Sequence, residues 1–390
     1  MKHFIVGDLH LGKGLSIGKN RPGEVNSRTI DKTNILNWLL EEALKNGIHH
    51  LVLTGDIFED SKPDYLLLKI FMEWLIKLES HEIFVDIVFG NHDMWRVGST
   101  YFSVLDLIEL YDFEYISIHR EFSSQKIGES NFCFVPFRDR RSYKTDSNAE
   151  ALDKLALDLN SLFQKDQSNV IVGHLTLEGA LYVGDEIDDY HNELICPLSI
   201  FDKFDKTWMG HIHKPQILKK DKIEHVGSLD ISDFGETDHQ KIIILYDSET
   251  KAQSYIDVPT RPLRQIEIVV SEIDNPDEIV SEFIIAENKK KPLKDAIVKI
   301  CIQLNNKEAL NRKSIEKLIY DLGAFNICSF IERKKGTIIS IQKKQVTNGT
   351  AEPKAAVTAY SNNNPKFVDL EFKKDFVEFC NAIIEEFKNK

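Results

Sequence analysis

A membrane span, a disulfide framework and a basic surface are all missing from this 390-residue chain. No apolar run reaches the roughly 18 residues that a bilayer crossing needs, and no charged-then-apolar leader follows Met1. A cytoplasmic protein without membrane contact is therefore expected. The five cysteines, Cys133, Cys196, Cys301, Cys328 and Cys380, are scattered and form no Cys-x-x-Cys pair. That excludes a thiolate zinc site and a disulfide scaffold, and fits small buried hydrophobes in a reducing compartment. Net charge is −13, so loose coating of nucleic acid is excluded. The imbalance is local: residues 1–261 carry −15, residues 262–344 carry +3, and residues 345–390 carry −1. A local groove or a basic partner remains compatible with it, and bound cations would reverse the field in the acidic part.

What is present is ordinary globular composition, 42% hydrophobic and 28% charged, with length enough for two or three domains. Strands are expected at 4–6, 50–53, 84–89, 132–135, 170–172, 206–209 and 242–246, alternating with amphipathic helices. One helix should run from after Ser27 to Asn46, with Ile35, Leu36, Leu39, Leu40, Ala43 and Leu44 on one face and Gly47 as the stop. Others are expected at 63–78, with Pro63 in the first turn, at 101–110 and at 149–163. This is an α/β pattern over residues 1–258, with sheet packed between helical layers.

Pro259-Thr260-Arg261-Pro262 marks a joint. Beyond it, strands at 265–270, 296–303 and 337–341 and helices at 277–285 and 307–322 make a smaller α/β unit, 259–342. Residues 343–365 are polar and read as a linker. In 366–390, Phe367, Leu370, Phe376, Phe379, Ile383 and Phe387 recur at helical steps, so this helix packs back on its own domain or docks on a partner.

Five stretches carry metal-ligating side chains just after apolar runs: Gly7-Asp8-Leu9-His10, Gly55-Asp56-Ile57-Phe58-Glu59, Gly90-Asn91-His92-Asp93, Gly173-His174 and Gly210-His211-Ile212-His213. Taken singly, such an Asp or His is usually a cap or a satisfied core residue. Five in this order, at the C-terminal ends of strands where loops converge, point to a two-metal phosphoesterase. The mixed carboxylate, imidazole and amide set suits manganese, iron or zinc. Asp56 is the best candidate to bridge two ions, and a water held between them would be the nucleophile. His92, not needed as a ligand, is the expected general acid. Glu59 could orient or polarise His92, as could Asp93, whose first expected role is to cap the following loop.

These blocks resemble the calcineurin-like metallophosphoesterases. Within them, Asp8-Leu9-His10-Leu11-Gly12, Gly55-Asp56-Ile57-Phe58 and Gly90-Asn91-His92-Asp93, with Gly227-Ser228 and then Glu236, resemble the SbcD-type DNA double-strand-break repair nucleases. The resemblance implies a β-sandwich flanked by helices, in α/β/β/α layers, over residues 1–258. It implies two Mn2+ ions, with Mg2+ or another divalent ion as the alternative, one on Asp8, His10, Asp56 and His213, the other on Asp56, Asn91, His174 and His211, with His92 as the acid. It further implies a homodimer through helices around 63–80 and 98–111, and a DNA-contacting cap at 259–342. Residues 366–390 would then bind an SbcC-type coiled-coil ABC ATPase, and DNA ends would be the substrate. One departure is Glu59, where the second block usually closes in Asp or His.

Gly12 to Asn20 looks like a phosphate-binding loop, but Lys13 and Asn20 stand where Gly and Ser or Thr are required, so ATP hydrolysis is not encoded. Arg138, Arg140 and Arg141 read as substrate contacts or as a solvated cluster. The rival readings are a phosphoprotein phosphatase or cyclic-nucleotide phosphodiesterase of the same superfamily, and a noncatalytic DNA-end scaffold.

Overall fold

Alternate residues of each strand face different neighbours, and that period of two builds the layers. The computed structural model describes residues 1–97, 100–182, 193–270, 275–304, 310–334 and 380. One six-stranded sheet runs, in spatial order, Gln253–Asp257, Ile242–Asp247, Lys2–Val6, His50–Leu53, Phe84–Val88 and Ile116–His119. The other runs Gln216–Lys219, Ile223–His225, Lys206–Met209, Ser168–Gly173, Ser130–Val135 and Ser123–Ile127. Ile5, Val52 and Val88 of the first pack against Phe132, Phe134, Val170, Val172 and Trp208 of the second. Their neighbours Phe4, Val6, Leu51, Leu53, Val85 and Ile87 turn outward onto Leu36, Leu39, Phe71 and Trp74 of the helices Ser27–Asn46 and Tyr65–Ser80. On the far side, Cys133, Val135 and Ile171 meet Ala151, Leu155 and Leu159 of the helix Asn148–Leu162. The layers are helix, sheet, sheet, helix, as the family resemblance implies.

Three local expectations need correction. The first helix already includes Ser27, because the Asn26 side chain accepts from the Arg28 amide and acts as the cap; Gly47, at φ 64°, closes the other end. The second helix starts at Tyr65, so Pro63 lies before it and the residue at the cap is Asp64. The apolar spacing at 101–110 is not one helix. Thr100–Phe102 pairs with Trp95–Val97 as a hairpin, and only Asp106–Glu109 is helical.

Beyond the proline joint, Leu263–Val270, Ile297–Leu304 and Asn326–Lys334 form a three-stranded parallel sheet. Helices Pro276–Lys290 and Arg312–Asp321 cover it, burying Val280, Ile284, Ile315 and Ile319. The expected strand at 337–341, the linker at 343–365 and the helix at 366–390 lie outside the described residues, Cys380 aside. The small sheet meets the sandwich through an apolar contact of Ile231, Leu263 and Ile297 with Ile17, Phe234 and Phe325. Beside it lies a buried charge network. Arg28 donates to Asp31 at 2.7 Å, to Asp230 at 2.6 Å and to the Ile231 carbonyl at 2.6 Å. Arg261, from the joint, also donates to Asp31 (2.7 Å) and lies over the Phe325 ring. Lys32 extends the network to the Leu9 carbonyl at 3.2 Å, inside the first ligand block.

Candidate metal centre

Each of the five blocks leaves the C-terminal end of a strand. Asp8 follows Lys2–Val6, Asp56 follows His50–Leu53, Asn91 follows Phe84–Val88, His174 follows Ser168–Gly173 and His211 follows Lys206–Met209. The ends of both sheets thus converge on one spot. His10, Asp56 and His211 take φ values of 43°, 49° and 80°, left-handed backbone that non-glycine residues rarely adopt and that clusters at functional sites. Two glycines permit the close approach: a Cβ on Gly90 would stand 2.1 Å from Asp56 Oδ1, and one on Gly210 would stand 2.3 Å from Asp8 Oδ1.

Two donor sets hold the expected ligands, and His10, Glu59 and His92 form a third group within ligating reach. In the first, His10 Nε2 and His213 Nε2 lie 3.0 Å apart, and Asp8 completes a group of ligand atoms within 4.8 Å of one another. In the second, Asn91 Oδ1 lies 3.0 Å from His174 Nε2 and 2.8 Å from His211 Nδ1, with Asp56, His174 and His211 again within ligating reach. Asp56 Oδ2 stands between the sets, 3.4 Å from His10 Nε2 and 3.2 Å from His174 Nε2. Its other oxygen accepts from the His92 amide at 2.9 Å.

The outward ring nitrogens say why a cation fits. His213 Nδ1 meets Glu236 at 3.0 Å, and His10 Nδ1 lies 2.7 Å from Glu59 Oε2. His174 Nδ1 meets the Thr54 carbonyl at 2.9 Å. Protons placed on those outer nitrogens, where acceptors wait, leave bare lone pairs facing one another inside, and a cation between them removes the repulsion. Burial alone would push His174 down, but the Asp56 and Asp8 carboxylates lift it to about 9. The same pull for positive charge suits a divalent ion. Burial raises Asp8, while Asp56 is held well below the usual carboxylate range because His174, His92 and His10 outweigh its burial.

Two expected roles are redistributed. Glu59 does not serve His92 through its carboxylate, which lies against His10; its backbone carbonyl instead meets His92 Nδ1 at 2.7 Å. Asp93 does not cap the following loop. Its carboxylate accepts from Gly90 N and Ile57 N, both at 2.9 Å, stitching the third block to the second. Burial, followed by the nearby Asp56 charge, pushes Asp93 up to about 7.

Two further residues belong to the centre that the motifs do not reveal. Lys241 is fully buried and donates to the His213 carbonyl (2.9 Å) and Ser228 Oγ (2.7 Å), with Glu236 at 3.0 Å. Glu193 meets both His211 Nε2 and Thr176 Oγ1. Neither carries a sequence signal, because each is defined by a partner that only the fold brings near. Among the arginines, Arg138 engages Glu121 at 2.5 Å and Arg141 engages Asp139 at 2.8 Å.

The SbcD component of the nuclease SbcCD from Staphylococcus saprophyticus is 25% identical over 317 residues, spanning 75% of this chain and 77% of the relative. A crystal structure of a dimetal phosphatase from Danio rerio, 12% identical, covers 66% of this chain and 98% of its own at a TM-score of 0.37, a likeness too slight to carry weight. No described helix is long and apolar enough to cross a membrane. The family model for calcineurin-like phosphoesterases matches residues 1–215, which hold all five ligand blocks. The chain belongs to the calcineurin-like phosphoesterases, a family of hydrolases that bind divalent metal ions.

Proposed function

We propose that this chain is a manganese-dependent DNA nuclease, a 3′–5′ exonuclease and single-strand or hairpin endonuclease, acting as the nuclease component of an SbcCD-like complex. The observation that carries the reading is the pair of donor sets sharing Asp56, with His92 beside them and outside both. Asp8, His10, Asp56 and His213 would hold one ion, and Asp56, Asn91, His174 and His211 the other. Bound there, the ions supply Lewis-acid neutralisation of a phosphodiester and an activated water. The chain's own residues do the rest. His92 has Nδ1 tied to the Glu59 carbonyl, so Nε2 is the atom that protonates the departing oxygen. Glu59 and Glu236 orient the rings of His10 and His213.

The curated relative supports DNA as substrate and an SbcC-type ATPase as partner. The homodimer reading is supported by exposed Tyr65 and Leu66 on one helix and by Leu107, Leu110 and Tyr111 near the hairpin. The segment 259–342 would contact DNA, and 366–390 would bind the ATPase. The test is cleavage of duplex, hairpin and single-stranded oligonucleotides by the purified chain in Mn2+, with EDTA and Asp56→Asn as controls. Failure of the wild type to cut any of them in Mn2+ refutes the proposal.

A further inference from the structure

We propose that Glu193 is a positioning residue for His211 and, through it, for one of the two ions; the inference rests on the two-ion reading above. His211 turns Nδ1 to Asn91 Oδ1, 2.8 Å away, which aims that nitrogen into the second donor set. An imidazole binds a cation only through a nitrogen that carries no proton, so the proton must sit on Nε2. Glu193 is the acceptor that Nε2 meets. Its side chain is 7% exposed, and its partners among the described residues are His211 and Thr176.

The arrangement repeats what the other rings do. His10 has Glu59, His213 has Glu236 and His174 has the Thr54 carbonyl, each at the nitrogen facing away from the donor sets. Glu193 supplies the same acceptor to the fourth ring. His211 needs it more than most, because its backbone at φ 80° is strained and only neighbours hold it there. Asp8 Oδ2 fixes the amide at 2.8 Å, and Glu193 fixes the ring. Glu193 arrives beside the strand Ile195–Cys196, which pairs with Thr176–Leu177 directly beyond His174. The ribbon leaving one ligand block therefore returns with the acceptor for another.

The test is calorimetric titration of the EDTA-stripped full chain with Mn2+, with thermal unfolding of the metal-free protein alongside. Wild type should take up two ions. Glu193→Ala should weaken one of the two binding events by about 10- to 100-fold, leaving the other and the metal-free unfolding midpoint nearly unchanged. Glu193→Gln keeps an oxygen that accepts the same N–H and should recover most of the loss. Two ions bound by Glu193→Ala at wild-type affinity would overturn the role. So would equal weakening of both events together with a lowered midpoint, which would make Glu193 a merely structural residue. A wild type that binds a single ion overturns the two-ion reading and this role with it.

Discussion

Replacing His92 with alanine removes the ring but keeps the backbone amide that donates to Asp56 Oδ1. The ring's own hydrogen bond joins Nδ1 to the Glu59 carbonyl, at 2.7 Å, so no metal ligand loses a hydrogen bond, although His10 loses an edge contact with the ring. Folding should cost about 1 kcal/mol, the ordinary net worth of one hydrogen bond. The catalytic loss should be far larger. A general acid contributes roughly 10²–10⁴-fold, or about 3–5 kcal/mol of barrier. That loss must depend on the leaving group. An alkoxide departing from DNA needs the proton, whereas p-nitrophenolate leaves as a stable anion. We expect His92→Ala to lose about 10²–10⁴ in kcat on an oligonucleotide and less than about 10-fold on bis(p-nitrophenyl) phosphate. The assay compares both substrates in Mn2+, with ion uptake measured in parallel. Equal losses on the two substrates would refute the acid role, and so would loss of an ion.

Other outcomes follow from the buried charges. Lys241→Met leaves Glu236 without its buried cation and should cost about 3–5 kcal/mol in denaturant unfolding, with Glu236→Gln in the same chain restoring part of it. Additive losses would mean that the pair is not coupled. Arg28→Met takes away the closer cation of Asp230, leaving Lys32 at 3.5 Å, and should cost a similar ~3–5 kcal/mol by the same measurement. A change under about 1 kcal/mol would show the network contributes little. His3, buried against His50 and Phe132, is pushed down to about 3, chiefly by burial and then by His50. The unfolded chain takes up that proton near 6.5, whereas the folded chain refuses it until about 3. His3 therefore contributes stability that is complete above 6.5 and is lost as pH falls toward about 3. His3→Phe should flatten the decline of metal-free stability between those values by about 1.4 kcal/mol per pH unit, and an unchanged slope would refute it.

Much of the centre is legible in the sequence because each block is local: a strand, a glycine, a ligand. The strand ends bring Asp8, Asp56, Asn91, His174 and His211 together without any further information. What is illegible is defined by distant partners. Arg28 meets Asp230 across 202 residues, and nothing near either announces the other. Glu193 sits 18 residues from His211, outside all five ligand blocks. The carboxylate of Glu59 goes to His10 rather than His92, a contact that needs the first block folded over the second and that no local spacing shows. At 101–110, Val104, Leu105 and Ile108 have helical spacing, but the pairing of Thr100–Phe102 with Trp95–Val97 takes the first residues away.

His10 and His213 touch at 3.0 Å across 203 residues, and that separation makes the centre a record of synthesis as well as of shape. At ~5–20 residues per second, the first ligands wait about 10–40 s for the last. The strand Lys2–Val6 waits longer, since its antiparallel neighbour Ile242–Asp247 is translated later still. No chain that stops short of His213 can complete both donor sets. A chain truncated before that point carries most of the ligands and lacks the contact that joins the first block to the last.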